Sequence, residues 1–496
     1  MMDFVAQMRW KPRRGCMEDK RDGYNDRPLS PRFPMNATNP PSRWLPLLMA
    51  ISIFMQMLDA TILNTALPTI AADLHVSPLN MQSAVISYAL TVALLIPASG
   101  YLADRFGTKK TFIIALVVFM LGSLLCAFAT NLPMLVGARI IQGMGGAIIM
   151  PVPRLAMLKV YEKAQLINAI NYALMPALIG PILGPIVGGY LVQYASWHWI
   201  FLINIPFGII GILCAIPIMP DVYGNVARFD GRGFLLIATT ATGLTLALEI
   251  APHGGTNLPW ALLLGVLSCA SGLAYLRHAR RSDHPLFPVS LILVRTFRIG
   301  LIGNLASRLG IGAMPFLLPL LYQLAFGYSA SLSGWLMTPT VVGAILSKPF
   351  VKPVIDRFGY RRTILTNTCL LGMLMMSVAI PPQHTPLWIW VTLLFVIGLG
   401  NSLQFTAMNT LSIADLRPDQ NSSGNSLLSV NMQLSTSFGI AIGALLLKTF
   451  SLDGISHGDL HTAFRYTFVA VGSITFASAL IFSRLHENDG AALLSR

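Results

Sequence analysis

Two ionisable residues stand where this chain can least accommodate them. Asp59 lies in "LDATILNTALP" (58–68) and Arg139 in "RIIQGMGGA" (139–147), both inside long apolar runs. A carboxyl group within a bilayer is suited to one piece of chemistry, taking up and releasing a proton. A guanidinium stays charged and serves as a fixed counter-charge. Asp59 is ~22 Å of helix into the first run, and Arg139 is ~10 Å into the fourth, which enters from the opposite side. In a hydrocarbon core of ~30 Å these depths coincide. A lone charge there costs about 2.5–3.5 kcal/mol on insertion scales, so the two are expected to be neighbours, directly or through water. The guanidinium favours an ionised carboxyl and burial favours a protonated one. A purely structural polar contact would account for the same pair.

A second signal is a charged heptad written twice, in "GYLADRFGTKK" (100–110) and "KPVIDRFGYRR" (352–362). Gly107 and Gly359 permit a tight turn between antiparallel helices. Asp104 and Asp356 can pair with nearby cations, among them Arg105, Lys109 and Arg357, or cap a helix. One copy, with Gly100 ahead of it, would pass for an ordinary basic turn. Two copies at equivalent places argue for a repeated six-helix unit, the signature of secondary transporters.

The elements that must position these residues are membrane helices. Only 11% of the 496 residues are charged, against roughly 25% in soluble domains, and the mean hydropathy is +0.65. Fourteen apolar blocks of spanning length run at approximately 44–67, 82–102, 110–130, 132–153, 167–192, 198–219, 233–250, 258–277, 299–324, 331–352, 362–381, 386–408, 422–447 and 463–484. Setting the seventh and eighth aside makes the heptads equivalent. The expectation is an all-α membrane protein of fourteen transmembrane helices, two pseudo-repeated six-helix bundles plus an inserted pair (6+2+6). The boundaries are 1–42 for a disordered tail, 43–220 for the first bundle and 221–298 for the inserted helices with an amphipathic linker. The second bundle is 299–484, and a tail follows at 485–496. Lys and Arg gather in alternate connections, which places both termini in the cytoplasm. The net charge of +14 is therefore a topology signal. A nucleic-acid partner would need the cations on one soluble face, and they are dispersed. Met35 opens "MNATNPPSRWLPLL" and reads as an alternative start.

Other residues mark packing or a cavity. Gly180, Gly184 and Gly188 recur every four residues with Pro181, Pro185 and Gly189 among them, a face for close helix contact. Gly439 and Gly443 are a weaker echo in the thirteenth block. That block also has a polar stripe at Asn425, Ser429, Met432 and Thr436, with Gln433 beside it. Arg308, Asn401 and Gln404 add to it. Such residues line a substrate cavity or join helices. Arg308, with no acid at its depth, suits a carboxylate ligand; backbone carbonyls would also satisfy it. Glu249 is expected at the outer membrane interface, a weaker proton carrier than Asp59. The five cysteines and nine histidines form no metal or disulfide spacing. Neither a nucleotide-binding loop nor a nucleophile elbow occurs. No enzyme, cofactor or metal is expected.

These stretches carry a family resemblance. "GYLADRFGTKK" resembles the major facilitator signature, departing at Thr108 where a cation is usual. "LDATILNTALP", "RIIQGMGGA", "GPILGPIVGG" (180–189) and "ASWHWIFLINIP" (195–206) are similar to motifs of the 14-span drug:proton antiporters, EmrB/QacA branch, closest to its MdtD-like multidrug members. The resemblance covers roughly 43–484. It implies a proton-coupled efflux transporter of the bacterial inner membrane, exporting drugs or toxic amphipathic compounds by alternating access and working as a monomer. Its partners would be a small-molecule substrate, protons and the lipid bilayer, with envelope partner proteins left open. It makes Asp59 and Arg139 the coupling residues and the heptads a conformational switch, and it has the glycine segment seal the halves. Two alternatives stay open: an exporter of small anionic metabolites or metal-carboxylate chelates, and a nontransporting receptor or scaffold.

Overall fold

The computed structural model describes residues 44–161, 165–166, 169, 172–173, 179–224, 229–251, 257–417, 420–456 and 458–493. The stretch expected as an N-terminal tail lies outside them. Every regular element among the described residues is helical. The first half contains α1 (Leu45–Asp73), α2 (Gln82–Phe106), α3 (Thr108–Ala127), α4 (Leu132–Ile149), α5 (Pro151–Val160), α6 (Ile179–Tyr194) and α7 (Asn204–Ile218). A hairpin of α8 (Gly231–Ile250) and α9 (Leu258–Ala279) follows. The second half contains α10 (Arg295–Ile311), α11 (Met314–Leu320), α12 (Ala330–Leu346), α13 (Lys348–Ser377), α14 (Leu387–Ala414), α15 (Asn421–Phe450) and α16 (Leu460–Ala477).

Local chemistry explains several boundaries. Asn131 caps α4 by accepting from Met134 N at 2.9 Å, and Pro133 fills the first turn where no donor is missed. Asp230 caps α8 through Gly233 N at 2.9 Å. Gly107, at φ 86°, separates α2 from α3. Gly359, at φ 76° and ψ 163°, breaks α13 at the matching place. An L side chain at either φ is strained.

Among the described residues, 11 helical stretches are long and apolar enough to cross a membrane, or up to 12 with the bent pair α12–α13 as one span. Three of the fourteen expected spans account for the difference. The fifth block falls partly outside the described residues, leaving α6 with 16 residues. The tenth and eleventh fall within α12–α13, which bends by 54° between Leu346 and Lys348.

In the first half α4 packs along α3 and α2, and α1 along α6 and α7. In the second, α14 packs along α12 and α13, and α10 along α15. The halves meet at two seams, α6 against α12 and α2 against α15. The α8–α9 hairpin leans on α15 and α2, beside the second seam.

Candidate functional site

Asp59 and Arg139 are brought together at the centre of the first half. Each is 1% exposed, and Arg139 Nη1 donates to Asp59 Oδ2 at 2.9 Å. The sequence reading missed the rest of the knot. Gln142 Nε2, one helical turn past Arg139, donates to Asp59 Oδ1 at 2.7 Å, and Asn204 Nδ2 on α7 donates to the same oxygen at 2.7 Å. Ser123 on α3 accepts from Gln142 Nε2 at 2.8 Å. Arg139 also donates to Gln142 Oε1 at 2.6 Å and to the Ala84 carbonyl at 3.3 Å, and its guanidinium lies 4.1 Å from the Tyr88 ring centre. Five helices thus meet in this knot: α4 and α7 donate to the carboxylate on α1, and α2 and α3 hold the donors. The i, i+3 spacing of Arg139 and Gln142 was a readable signal. Nothing in "LINIP" singles out Asn204.

The arrangement is neutral overall and buried, and both oxygens of the carboxylate accept hydrogen bonds. A buried pair gains little over apolar packing, but removing one partner strands the other at about 3–5 kcal/mol. Chemically, the carboxylate can release its hold on α4 and α7 by accepting a proton. At 1% exposure the proton needs an opening of the bundle to arrive.

Each heptad is clasped by chain from the end of its own half. Asp104 Oδ1 accepts from Lys159 Nζ at 2.6 Å, and its carbonyl from Gly224 N at 3.2 Å. Thr108, fully buried, donates to the Pro220 carbonyl at 2.6 Å and accepts from Val222 N at 3.1 Å. That double bond explains the departure from the usual cation: a charged side chain would have to be buried under the 220–224 strap. Lys109 donates to the Ile216 carbonyl, and Arg105 to Tyr101 Oη at 2.7 Å. A Cβ at Gly107 would meet Asp221 Oδ1 at 2.3 Å, whereas one at Gly100 would meet nothing within 4 Å. In the second copy, Arg357 lies 5.6 Å from the Phe358 ring. Glu487 pairs with Arg361 at 3.5 Å and Arg362 at 3.7 Å. Asp489 pairs with Arg295, and Gly490 packs on Tyr360. The segment expected as a C-terminal tail is therefore docked through Gly490, with Leu485 3% exposed.

The glycine face lies on the helix that carries Asp59. Cβ atoms at Gly180, Gly184 and Gly188 would strike Met57 Cβ at 2.9 Å, Thr61 Oγ1 at 2.0 Å and the Ile62 carbonyl at 2.5 Å. Gly189 turns to the other half, where its Cβ would meet the Ala330 carbonyl at 2.4 Å. The Pro185 carbonyl accepts from Thr65 Oγ1 at 3.4 Å and abuts Gly334 of α12. Pro181 sits in the first turn of α6, next to Gly180. Gln323 Nε2 adds a bond to the Thr65 carbonyl at 2.9 Å. In the second half Gly439 of α15 packs on α10, the helix that carries Arg308, and Gly443 packs on Ala313 and Leu317 at the start of α11.

The expected cavity residues divide. Arg308 Nε donates to Asn304 Oδ1 at 2.8 Å, and its guanidinium lies 5.1 Å from the Phe405 ring centre. Lys348, which the sequence reading passed over, brings its ammonium 5.8 Å from the same ring. No carboxylate pairs with either cation among the described residues. Asn401 and Gln433 are half-buried, Ser429 donates to the Asn425 carbonyl at 2.9 Å, and Asn425 is exposed. Gln404 is the most buried of the set. It is 2% exposed, and its amide is used up inside the bundle by Asn367 at 2.8 Å and Thr368 at 2.6 Å. Of the two expected roles, these contacts are those of a residue that joins helices.

With this geometry in hand, the comparisons are consistent. "Putative multidrug resistance protein MdtD" of Pectobacterium atrosepticum is 44% identical over 451 residues, 90% of this chain and 97% of the relative. The protein of that name from Citrobacter koseri is 43% identical over 464 residues, 92% and 97%. Among solved structures, a POT family transporter in complex with a thioalcohol-conjugated peptide aligns with TM-score 0.68 at 13% identity, covering 92% of this chain and 97% of that one. A D-xylose-proton symporter aligns with TM-score 0.64 at 14% identity, covering 90% and 98%. At such identities these two speak for the fold alone. The family model described as Major Facilitator Superfamily matches residues 49–294 and 300–492, and the chain belongs to that family.

Proposed function

We propose that this chain is a proton-coupled efflux transporter of the bacterial inner membrane that exports drugs or toxic amphipathic compounds by alternating access. It would have fourteen spans in a 6+2+6 arrangement, both termini in the cytoplasm, and no enzymatic step. The name shared by relatives at 43–44% identity supports the substrate class. The observation that carries the coupling is the buried, hydrogen-bonded Asp59–Arg139 pair. Protonating Asp59 removes the charge that draws Arg139, Gln142 and Asn204 onto α1. The same helix bears the glycine contacts with α6, and α6 forms one seam with α12. A proton at Asp59 would thus loosen α1 and, through α6, the joint between the halves. Deprotonation from the other side would restore it, and substrate would cross in the opposite direction. Proteoliposomes with an imposed pH gradient test this. Uphill movement of a lipophilic drug must follow the gradient and stop with a protonophore; drug movement indifferent to both would refute coupling.

Arg308 and Lys348 favour a second reading. Two cations flank one aromatic ring with no carboxylate beside them, an arrangement suited to an anionic or zwitterionic solute, including carboxylates and their metal chelates. Arg308→Ala and Lys348→Ala would then lose transport of anions while sparing cations. Robust efflux of a quaternary ammonium dye, unchanged by either substitution and with no carboxylate transported, would overturn it.

A further inference from the structure

Glu249 plays no part in that pathway. It sits near the outer end of α8, where it accepts from Ser83 Oγ on α2. No cation pairs with it among the described residues. The carboxylate lines a cavity of ≈ 740 Å³ between α2, α4 and α8. Ser83, Leu132 and Glu249 border its outer end, and Leu95, Met144 and Phe234 its inner end. Ser83 to Leu95 spans ~18 Å by helical rise, so the cavity is a slot parallel to the helices, the direction of lipid chains. Its walls are chiefly aliphatic, with Ile86, Leu90, Leu94 and Ile140 along its length.

The slot exists because the inserted hairpin stands off from α4. α8 packs on α2 and α15 and not along α4. Ile140 and Met144 therefore remain 42% and 45% exposed on the open side. α2 and α4 pack along each other, and Arg139 behind them is 1% exposed. That packing stands between the slot and the Asp59–Arg139 pair, an arrangement that suits a resident lipid better than a solute in transit.

We infer that this slot binds a membrane lipid whose headgroup carries a protonated amine, with the ammonium donating to Glu249 and one acyl chain lying along α2 and α4. The carboxylate at headgroup depth supplies the charge complementarity. An ammonium with N–H donors makes a charge-assisted hydrogen bond to it; an anionic headgroup is repelled. The bound chain bridges α4 and α8, which do not otherwise pack, and so ties the inserted pair to the first half.

The test uses the full chain in nanodiscs containing phosphatidylethanolamine with a photoreactive acyl chain. Adducts are mapped by mass spectrometry, with unlabelled phosphatidylethanolamine, phosphatidylglycerol or tetraphenylphosphonium as competitor. Adducts are expected within 83–95, 132–144 and 234–249, displaced by phosphatidylethanolamine alone. Glu249→Gln, near-isosteric, is expected to lower labelling at least tenfold. Ala238→Trp, which fills the slot and keeps the carboxylate, should do the same; if that variant misfolds, Glu249→Gln decides by itself. Equal displacement by phosphatidylglycerol, or wild-type labelling in Glu249→Gln, overturns the assignment. Displacement by tetraphenylphosphonium and not by phosphatidylethanolamine overturns it in favour of a soluble cation.

Discussion

Asp59→Asn separates coupling from architecture. Asp59 accepts from Arg139 at 2.9 Å, Gln142 at 2.7 Å and Asn204 at 2.7 Å. An asparagine keeps one acceptor oxygen for Gln142 and Asn204 and turns an amide donor toward the guanidinium. Arg139 is then a buried charge without its counter-ion, at about 3–5 kcal/mol. It retains Gln142 Oε1 and the Ala84 carbonyl, which puts the cost at the lower end, ~3 kcal/mol. Neutral asparagine inserts more easily than aspartate, so the protein should still reach the membrane. The expected outcome is normal membrane abundance, a lower unfolding midpoint in detergent, and no gradient-driven efflux. Adding Arg139→Gln removes the stranded charge. A double-mutant cycle should recover most of the ~3 kcal/mol without recovering uphill transport. Gradient-driven efflux at the wild-type rate in either variant would refute the assignment of coupling to Asp59.

Three further outcomes follow from the same geometry. Asp104→Asn, and more weakly Asp356→Asn, should slow transport without altering which compounds are carried, because both sit at the ends of helices away from the cavity; Thr108→Arg should slow it further by displacing the 220–224 strap, and a changed substrate profile in any of the three contradicts this. Gly184→Val should abolish transport and lower stability, since its Cβ would meet Thr61 Oγ1 at 2.0 Å; wild-type activity would show that α6 and α1 do not pack closely in the working protein. Burial pushes the Asp230 carboxyl up, but bonds from Gly233 N, His278 and Leu286 N outweigh it and hold it below its usual 3.8. Its clasp between α8, α9 and the following connection is therefore fully present above that value and is lost as pH falls through the lower folded-state value. Proteolytic protection of residues 280–289 should follow that course and become flat with pH in Asp230→Asn; protection lost already near neutral pH would show that Asp230 is not the group that holds it.

Much of the architecture was legible in the sequence because a bilayer penalises exposed backbone and lone charges so heavily. Continuous apolar runs can only be helices there. The low charge content, the block lengths and the twice-written heptad were enough to expect a repeated helical membrane protein, and the depth of Asp59 and Arg139 was enough to expect them side by side. The glycine period announced a close contact, and only the folded chain showed that it is made with α1 and α12. Residue type and spacing say nothing about which remote segments arrive at a site. Asn204 lies 145 positions from Asp59, and Lys348 meets Arg308 only through the ring of Phe405. Thr108 read as a departure until the 220–224 strap was seen to bond both sides of its hydroxyl. Polarity alone left Gln404 open between a cavity and a helix contact, and only the folded chain showed Asn367 and Thr368 consuming its amide. Glu249 was expected at the membrane interface, but the slot below it depends on α8 standing away from α4, a matter of helix packing that no local pattern encodes. Burial and backbone satisfaction act on each segment by itself and so can be read along the chain. Partner choice among polar groups is settled by how the helices pack, which only the tertiary structure decides.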